Sequence, residues 1–383
     1  MFDRRGFIGS AMLGVGAYAF TPRIAFASLP TDRHFIFIIQ RGAADGLATV
    51  APVGDPAYAG ARGTLAELDG GAKLDTIFSL HASLTETARL YAAGEALFGH
   101  ALASIYRDRS HFDGQNILET GGRAAYAEKT GWMNRLAAIL PGEQGRALAV
   151  AQALPMALRG PAEVASYAPS ALPGASEDLL RRVGGLYEGD GRLHALWESA
   201  MRTRMLAGDL GEDGSRNGEA IGALAARLMT AADGARLVMI ETGGWDTHSG
   251  QKAKLARQLR GLDAMIAALK AGLGAAWAKT VILVATEFGR TVAVNGTGGT
   301  DHGTGAAAML IGGAVRGGRV VSDWPGLRTG ELFEGRDLRP TARIESFVAG
   351  ALASHYELEP MRVARSLYPS MAELKPADGL VKA

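Results

Sequence analysis

Apolar and polar positions alternate along the chain in a rhythm of short buried strands and longer amphipathic helices. HFIFIIQRG, from His34 to Gly42, holds a run of β-branched and aromatic residues and predicts a buried strand. It runs into GAADGL, which leaves Asp45 in a loop at the strand's C-terminal end. Ser83-Leu84-Thr85-Glu86 has capping-box spacing and predicts a helix through Leu90, Tyr91 and Leu97. Phe98 to Ser104 predicts a second strand, and YRDRSHFDGQNILETGG, from Tyr106 to Gly122, a loop running into a helix. The middle is less regular. A strand is expected within Ala149 to Leu158, helices around Glu177 to Tyr187 and Gly218 to Ala232, and surface loops at Ser166 to Gly174 and Gly189 to Arg192. Arg236 to Glu241 and Lys279 to Ala285 are further strands, with Ala306 to Ile311 another. Between them Leu255, Leu259, Leu262, Ile266 and Leu269 mark one face of a helix, read as core. RVARSLYP, from Arg362 to Pro369, is expected as a solvated helix face and its end. The whole predicts an α/β fold, a mostly parallel central sheet with helices on both faces. In such sheets ligands bind at the C-terminal ends of the strands.

Composition narrows the chemistry. At 383 residues the chain suits one large α/β domain or two smaller ones, and 48% hydrophobic content supplies a sizeable core. Charged content of 21% and a net charge of +1 exclude a disordered chain and a nucleic-acid-binding footprint. There is no cysteine, so a metal must be held by His, Asp, Glu or hydroxyl oxygen.

The N-terminus reads as an address. Arg4-Arg5-Gly6-Phe7-Ile8 resembles the twin-arginine export motif, and Ala25-Phe26-Ala27 fits a small-x-small cleavage site. The apolar stretch from Phe7 to Phe20 is too short and glycine-rich for a stable membrane span. We therefore expect a signal peptide over 1–27, a single domain over 28–383, and a periplasmic or otherwise exported protein. The mature balance is 37 Lys+Arg against 38 Asp+Glu, which gives no reason to expect nucleic acid or anionic lipid as partner.

Polar clusters fall in the loops that this fold brings to one sheet edge. They are Asp45; Ser110-His111-Phe112-Asp113; Asp246-Thr247-His248; Glu287-Phe288-Gly289-Arg290; and Asp301-His302-Gly303. Carboxylates and imidazoles gathered there can build an oxygen- and nitrogen-ligated metal site, and glycines let the loops turn tightly. Each cluster also has a plainer reading. Asp246 and His248 suit a turn, Ser110 a helix N-cap, Asp45-Gly46 a turn pair, and Glu287 with Arg290 an ion pair. Trp245 is read as packing around the site.

RGAADGL, RDRSHFDGQNILETG, TGWMNRL, ETGGWDTH, TEFGRTVAVNGTGGTDHGTG and GGAVRGGRV resemble the family catalogued as domain of unknown function 1501. The order of the clusters resembles the wider alkaline phosphatase superfamily. The resemblance implies an alkaline-phosphatase-like fold and a site for one or two divalent ions (zinc, manganese, magnesium or calcium). Asp246, His248 and His302 would hold one ion. Asp45 and Glu287 would hold a second, bridged by Ser110 as nucleophile. Arg290, Arg109 or Arg41 would clamp an anion. The implied activity is hydrolysis of a phosphate or sulfate ester on a small-molecule or polymer-linked substrate. Phe288 stands where the superfamily often has histidine, so His111, Asp113 or Asp301 would have to replace that ligand. The same departure admits another function, a non-catalytic envelope binding or assembly protein with a reduced metal site.

Overall fold

A computed structural model describes residues 32–382, apart from 68–69, 141–146, 152, 168–176, 192, 195, 196, 199, 202–216 and 233. The expected signal peptide and part of the Ser166–Gly174 loop lie outside the described residues. The described elements belong to the unit Thr31–Ala383.

Nine strands form the main sheet: β1 His34–Gln40, β2 Ala96–Ala103, β3 Ala147–Val150, β4 Val164–Tyr167, β5 Leu237–Thr242, β6 Thr280–Ala285, β7 Ala306–Ile311, β8 Arg319–Val321 and β9 Ala342–Arg343. Their order is β8-β2-β7-β6-β1-β5-β3-β4, with β9 also paired to β2. Strand β1 runs parallel to β5 and β6, with Phe35 opposite both Leu237 and Val281. Among the described strands of this sheet, only β7 is antiparallel to its neighbours. The fold is thus the expected α/β class with a mostly parallel sheet.

Successive side chains on a strand point to opposite faces, and here both faces are buried. Phe35, Phe37 and Ile39 of β1 join one core with Leu237, Met239, Val281 and Leu283. Ile36 and Ile38 join the other with Val238, Ile240, Ile282 and Val284. The described helices are α1 Gly46–Thr49, α2 Thr85–Ala92, α3 His111–Thr120, α4 Trp132–Ile139, α5 Gly218–Thr230, α6 Gln251–Leu273, α7 Ile344–His355 and α8 Pro360–Leu367, with further ones at Tyr58–Arg62 and Glu177–Tyr187. The first core is closed by Trp132 and Leu136 of α4, Phe347 and Leu352 of α7, and Val363 and Leu367 of α8. The second is closed by Leu224 and Leu228 of α5 and by the predicted stripe of α6, all buried. Each such side chain contributes roughly 1.5–3 kcal/mol of burial.

Four local expectations are corrected. Helix α2 has no side-chain cap from Ser83; its Glu86 and Thr87 amides donate to the Asp263 carboxylate of α6, at 2.8 and 2.9 Å. The helix ends at Ala92, and Leu97 belongs to β2, because Gly94 turns the chain at φ +73°. The segment after Val150 leaves the sheet and forms a 3-10 turn at Met156–Leu158. Helix α8 is not wholly solvated, since Val363, Ala364 and Leu367 are buried.

Candidate metal centre

All five polar clusters come from loops on one sheet edge. β1, β2, β5 and β6 end there, and antiparallel β7 begins there. After β5, the Trp245 indole N–H donates to Thr242 Oγ1 at 3.0 Å and the ring is buried, which fixes where Asp246 and His248 emerge. Gly42, at φ +118°, lets the loop after β1 pass the Asp246 backbone; a Cβ there would stand 2.5 Å from its nitrogen. The loops after β6 and before β7 are zipped together: Gly303 N–H donates to Gly289 O at 2.7 Å, and Gly289 N–H to Thr304 O at 3.0 Å. That pairing sets His302 beside Arg290. His111 opens α3, so the helix start aims its ring at the same point.

His111, Asp246 and His302 each bring a ligand atom into one group. His111 Nε2 lies 2.9 Å from His302 Nε2, and His302 Nε2 lies 3.0 Å from His248 Nε2. Asp246 Oδ1 is 3.0 Å from His248 Nε2 and 3.4 Å from His302 Nε2, and Asp246 Oδ2 is 3.5 Å from His111 Nε2.

The other ring nitrogens decide what these contacts mean. His111 Nδ1 faces Glu287 Oε1 at 2.8 Å, His248 Nδ1 faces Asp301 Oδ1 at 3.0 Å, and His302 Nδ1 faces the Arg109 carbonyl at 2.9 Å. Each partner is an acceptor, so each Nδ1 carries the hydrogen and each neutral ring turns its Nε2 lone pair inward. Three lone pairs and a carboxylate at van der Waals contact repel unless a cation lies among them. Ligand atoms about 2.0–2.1 Å from a tetrahedral ion sit roughly 3.3 Å apart, which the distances above bracket. The His111, Asp246 and His302 donors and their spacing fit a divalent metal, His248 stands beside Asp246 and His302, and Glu287, Asp301 and the Arg109 carbonyl orient the imidazoles.

The charges agree. The hydrogen bond that His111 donates to Glu287 raises its pKa above the ordinary imidazole value. Burial, and then the nearby His111 charge, lower that of His302. Burial opposes ionisation of Asp246 and Glu287, yet both carboxyls lie below their ordinary values. Arg290 holds down Asp246, and His111 with Gln115 holds down Glu287.

Of the expected site residues, the structure gathers Asp246, His248 and His302, and adds His111. That residue was legible only as a substitute ligand beside Ser110. Glu287 sits behind His111, taking hydrogen bonds from Gly42 N–H and Gln115 as well, both at 2.9 Å. Asp45 lies outside the group. It caps α1 through Ala48 N–H at 3.1 Å, and its other oxygen is occupied by buried Arg62 and by Gln251. Arg290 is buried, bonded to Asp246 Oδ1 at 2.7 Å and to Thr300, so it orients a carboxylate rather than clamping a free anion. Arg109 is engaged by Asp337 and Glu334, and Arg41 by Glu119 and Glu241. Ser110 stands at the α3 N-cap without capping it through its side chain. Phe288 is buried and packs on the His111 and His302 rings, with centroids 5.1 and 5.4 Å away.

An α/β sheet with an imidazole–carboxylate cluster at its C-terminal edge thus defines the class of architecture. The chain belongs to the family DUF1501, a protein of unknown function, which matches residues 96–358. No curated protein matches it. Among solved structures it is distantly similar to the C-terminal periplasmic domain of EcEptC from Escherichia coli in complex with Zn. The identity there is 8%, over 75% of this chain and 74% of that one, with a TM-score of 0.39. Ps i-CgsB in complex with k-i-k-neocarrahexaose is similar at 10% identity, over 90% and 77% of the two chains, with a TM-score of 0.40. The phosphonate monoester hydrolase of Agrobacterium radiobacter is similar at 12% identity, over 76% and 70%, with a TM-score of 0.30.

Proposed function

We propose that this chain is an exported, metal-dependent hydrolase that cleaves a phosphate or sulfate ester of a small-molecule or polymer-linked substrate. The observation that carries the reading is the set of inward-facing Nε2 lone pairs of His111, His248 and His302 around Asp246. These residues would hold one divalent ion, and an imidazole-rich set suits zinc or manganese better than magnesium or calcium. Such an ion, when bound, polarises an ester oxygen and favours deprotonation of the attacking group. Glu287, Asp301 and the Arg109 carbonyl hold the imidazoles in the ligating tautomer, and Arg290 keeps Asp246 ionised and oriented. Ser110, next to His111 at the start of α3, is the nucleophile in this reading. The helix N-terminus there favours a negatively charged phosphoryl group. The Arg4-Arg5 segment supports export by the twin-arginine route, with a periplasmic destination.

A second reading, an envelope binding or assembly protein with a reduced site, is favoured by two placements. Phe288 fills the space beside the centre, and Asp45 is committed to Arg62. Chromogenic phosphate and sulfate esters, offered with zinc, manganese, magnesium or calcium, separate the two. Turnover that disappears in Asp246→Asn supports the hydrolase. A protein that keeps its metal and turns over none of the esters is the binding protein.

A further inference from the structure

A second constellation lies on the far side of β2, where β9 adds to it. There Ser104, Arg107, Pro340, Thr341 and Arg343 line a solvent-open cavity of about 340 Å³. Its two arginines lack good counter-charges. Arg107 spends its hydrogen bonds on the carbonyls of Ser104 and Tyr106 and forms no salt bridge among the described residues. Arg343 reaches only the exposed Glu373, at a long 3.4 Å, and the Met371 sulfur.

The acidic residue closest in sequence makes no hydrogen bond to either. Glu345 is buried and pairs with neither guanidinium. Burial pushes its carboxyl up to about 7, so at lower pH it carries little charge. Burial lowers the Arg107 pKa; the Glu345 charge opposes that shift, and the positive charges of Arg343 and Arg109 add to it. The Thr341 hydroxyl is buried with no partner. Two guanidiniums facing one cavity repel each other, and an anion between them would relieve that repulsion through charge-assisted hydrogen bonds.

We infer that this cavity is an oxyanion subsite, binding a sulfate, phosphate or carboxylate group between Arg107 and Arg343. It does not depend on the metal centre. The loop from Ser104 to Ser110 nevertheless leads from it directly to His111, so a second anionic group on an extended substrate has a place to dock.

The test titrates the full chain carrying Asp246→Asn, which disables the metal centre and leaves this cavity intact. Inorganic sulfate and a sulfated disaccharide are the probes, read by calorimetry and by thermal shift against chloride at matched ionic strength. The inference expects one site, weakened about tenfold or more in Arg343→Gln and partly restored in Arg343→Lys. Arg343 is half-exposed, so its loss spares the fold, and unchanged melting without anion checks this. Tighter binding of the disaccharide than of sulfate points to a substrate-borne group, and the reverse to a free anion. No sulfate-specific effect, or equal binding in Arg343→Gln, overturns the inference. Because the metal centre is disabled throughout, failure here is separable from failure of the hydrolase reading.

Discussion

Two aspartates at the same sheet edge, Asp246 and Asp45, stand in opposite surroundings. Around Asp246, three imidazoles direct their uncommitted nitrogens inward, and the Asp246 and His248 side chains are each 43% exposed. Around Asp45, every strong acceptor is already taken, by Arg62, Gln251 and the Ala48 amide, with Asp45 and Arg62 side chains 1% and 0% exposed. We propose that the first takes a cation from outside. The second has its cation built in. Residue type and loop position do not distinguish them; what the remaining atoms of each side chain bond to does.

The comparison can be broken from either side. The largest effect is expected at the centre, where His302→Ala removes a nitrogen shared by two short contacts and should abolish metal retention in purified protein. Retention of a full equivalent would remove His302 from the ligand set. At the other constellation, Arg62→Met leaves the Asp45 charge buried and should cost about 3–5 kcal/mol of stability in denaturant titration. It should leave metal content unchanged. A mild effect on stability with loss of metal would invert the assignment of the two clusters.

Smaller effects sharpen the picture. Glu287→Gln keeps the volume but replaces the carboxylate behind His111, and should weaken metal affinity by about 10–100-fold in competition with a chelator. No change would make Glu287 a purely architectural residue.

Histidines away from the site give a contrast in pH. Burial pushes His100 down to about 4 and His355 to about 3; burial together with Arg236 pushes His34 to about 4. Unfolded, each takes a proton near the ordinary imidazole value of 6.5, so below that the unfolded chain binds more protons. Stability therefore falls as pH drops from 6.5 towards these values, by up to about 1.4 kcal/mol per pH unit for each histidine. Glu345, raised to about 7, acts in the opposite sense, its contribution being lost as pH rises from 4.5 towards 7. One carboxyl opposes three imidazoles, so the denaturation midpoint should fall between about pH 6.5 and 5. His100→Gln should make that slope shallower. A midpoint that is flat or rises on acidification would contradict this.

Much of the architecture was legible because both faces of the sheet are buried. The apolar runs of β1, β5 and β6 and the α6 stripe admit few other readings. Where tertiary partners intervene, pattern alone misleads. Asp263, far along the chain, supplies the cap expected from Ser83. Likewise nothing in the Tyr58–Arg62 helix announces that Arg62 will occupy Asp45. At the site, the loops were legible as clusters, but the allotment of roles was not. His111 is next to a serine that drew attention first, and its role depends on Glu287, a contact spanning 176 positions. Arg290 read as an anion clamp because its burial against Asp246 and Thr300 is a property of the zipped loops, not of the local sequence.

We propose one cation site at this edge, with Asp246 and not Asp45 among its ligands. Metal content of the full chain, purified without chelator, tests it most directly when set beside Asp246→Asn and Asp45→Asn. About one ion per chain is expected, lost in Asp246→Asn and kept in Asp45→Asn. Two ions with one lost in Asp45→Asn would contradict it, as would a protein that binds none when metals are offered back.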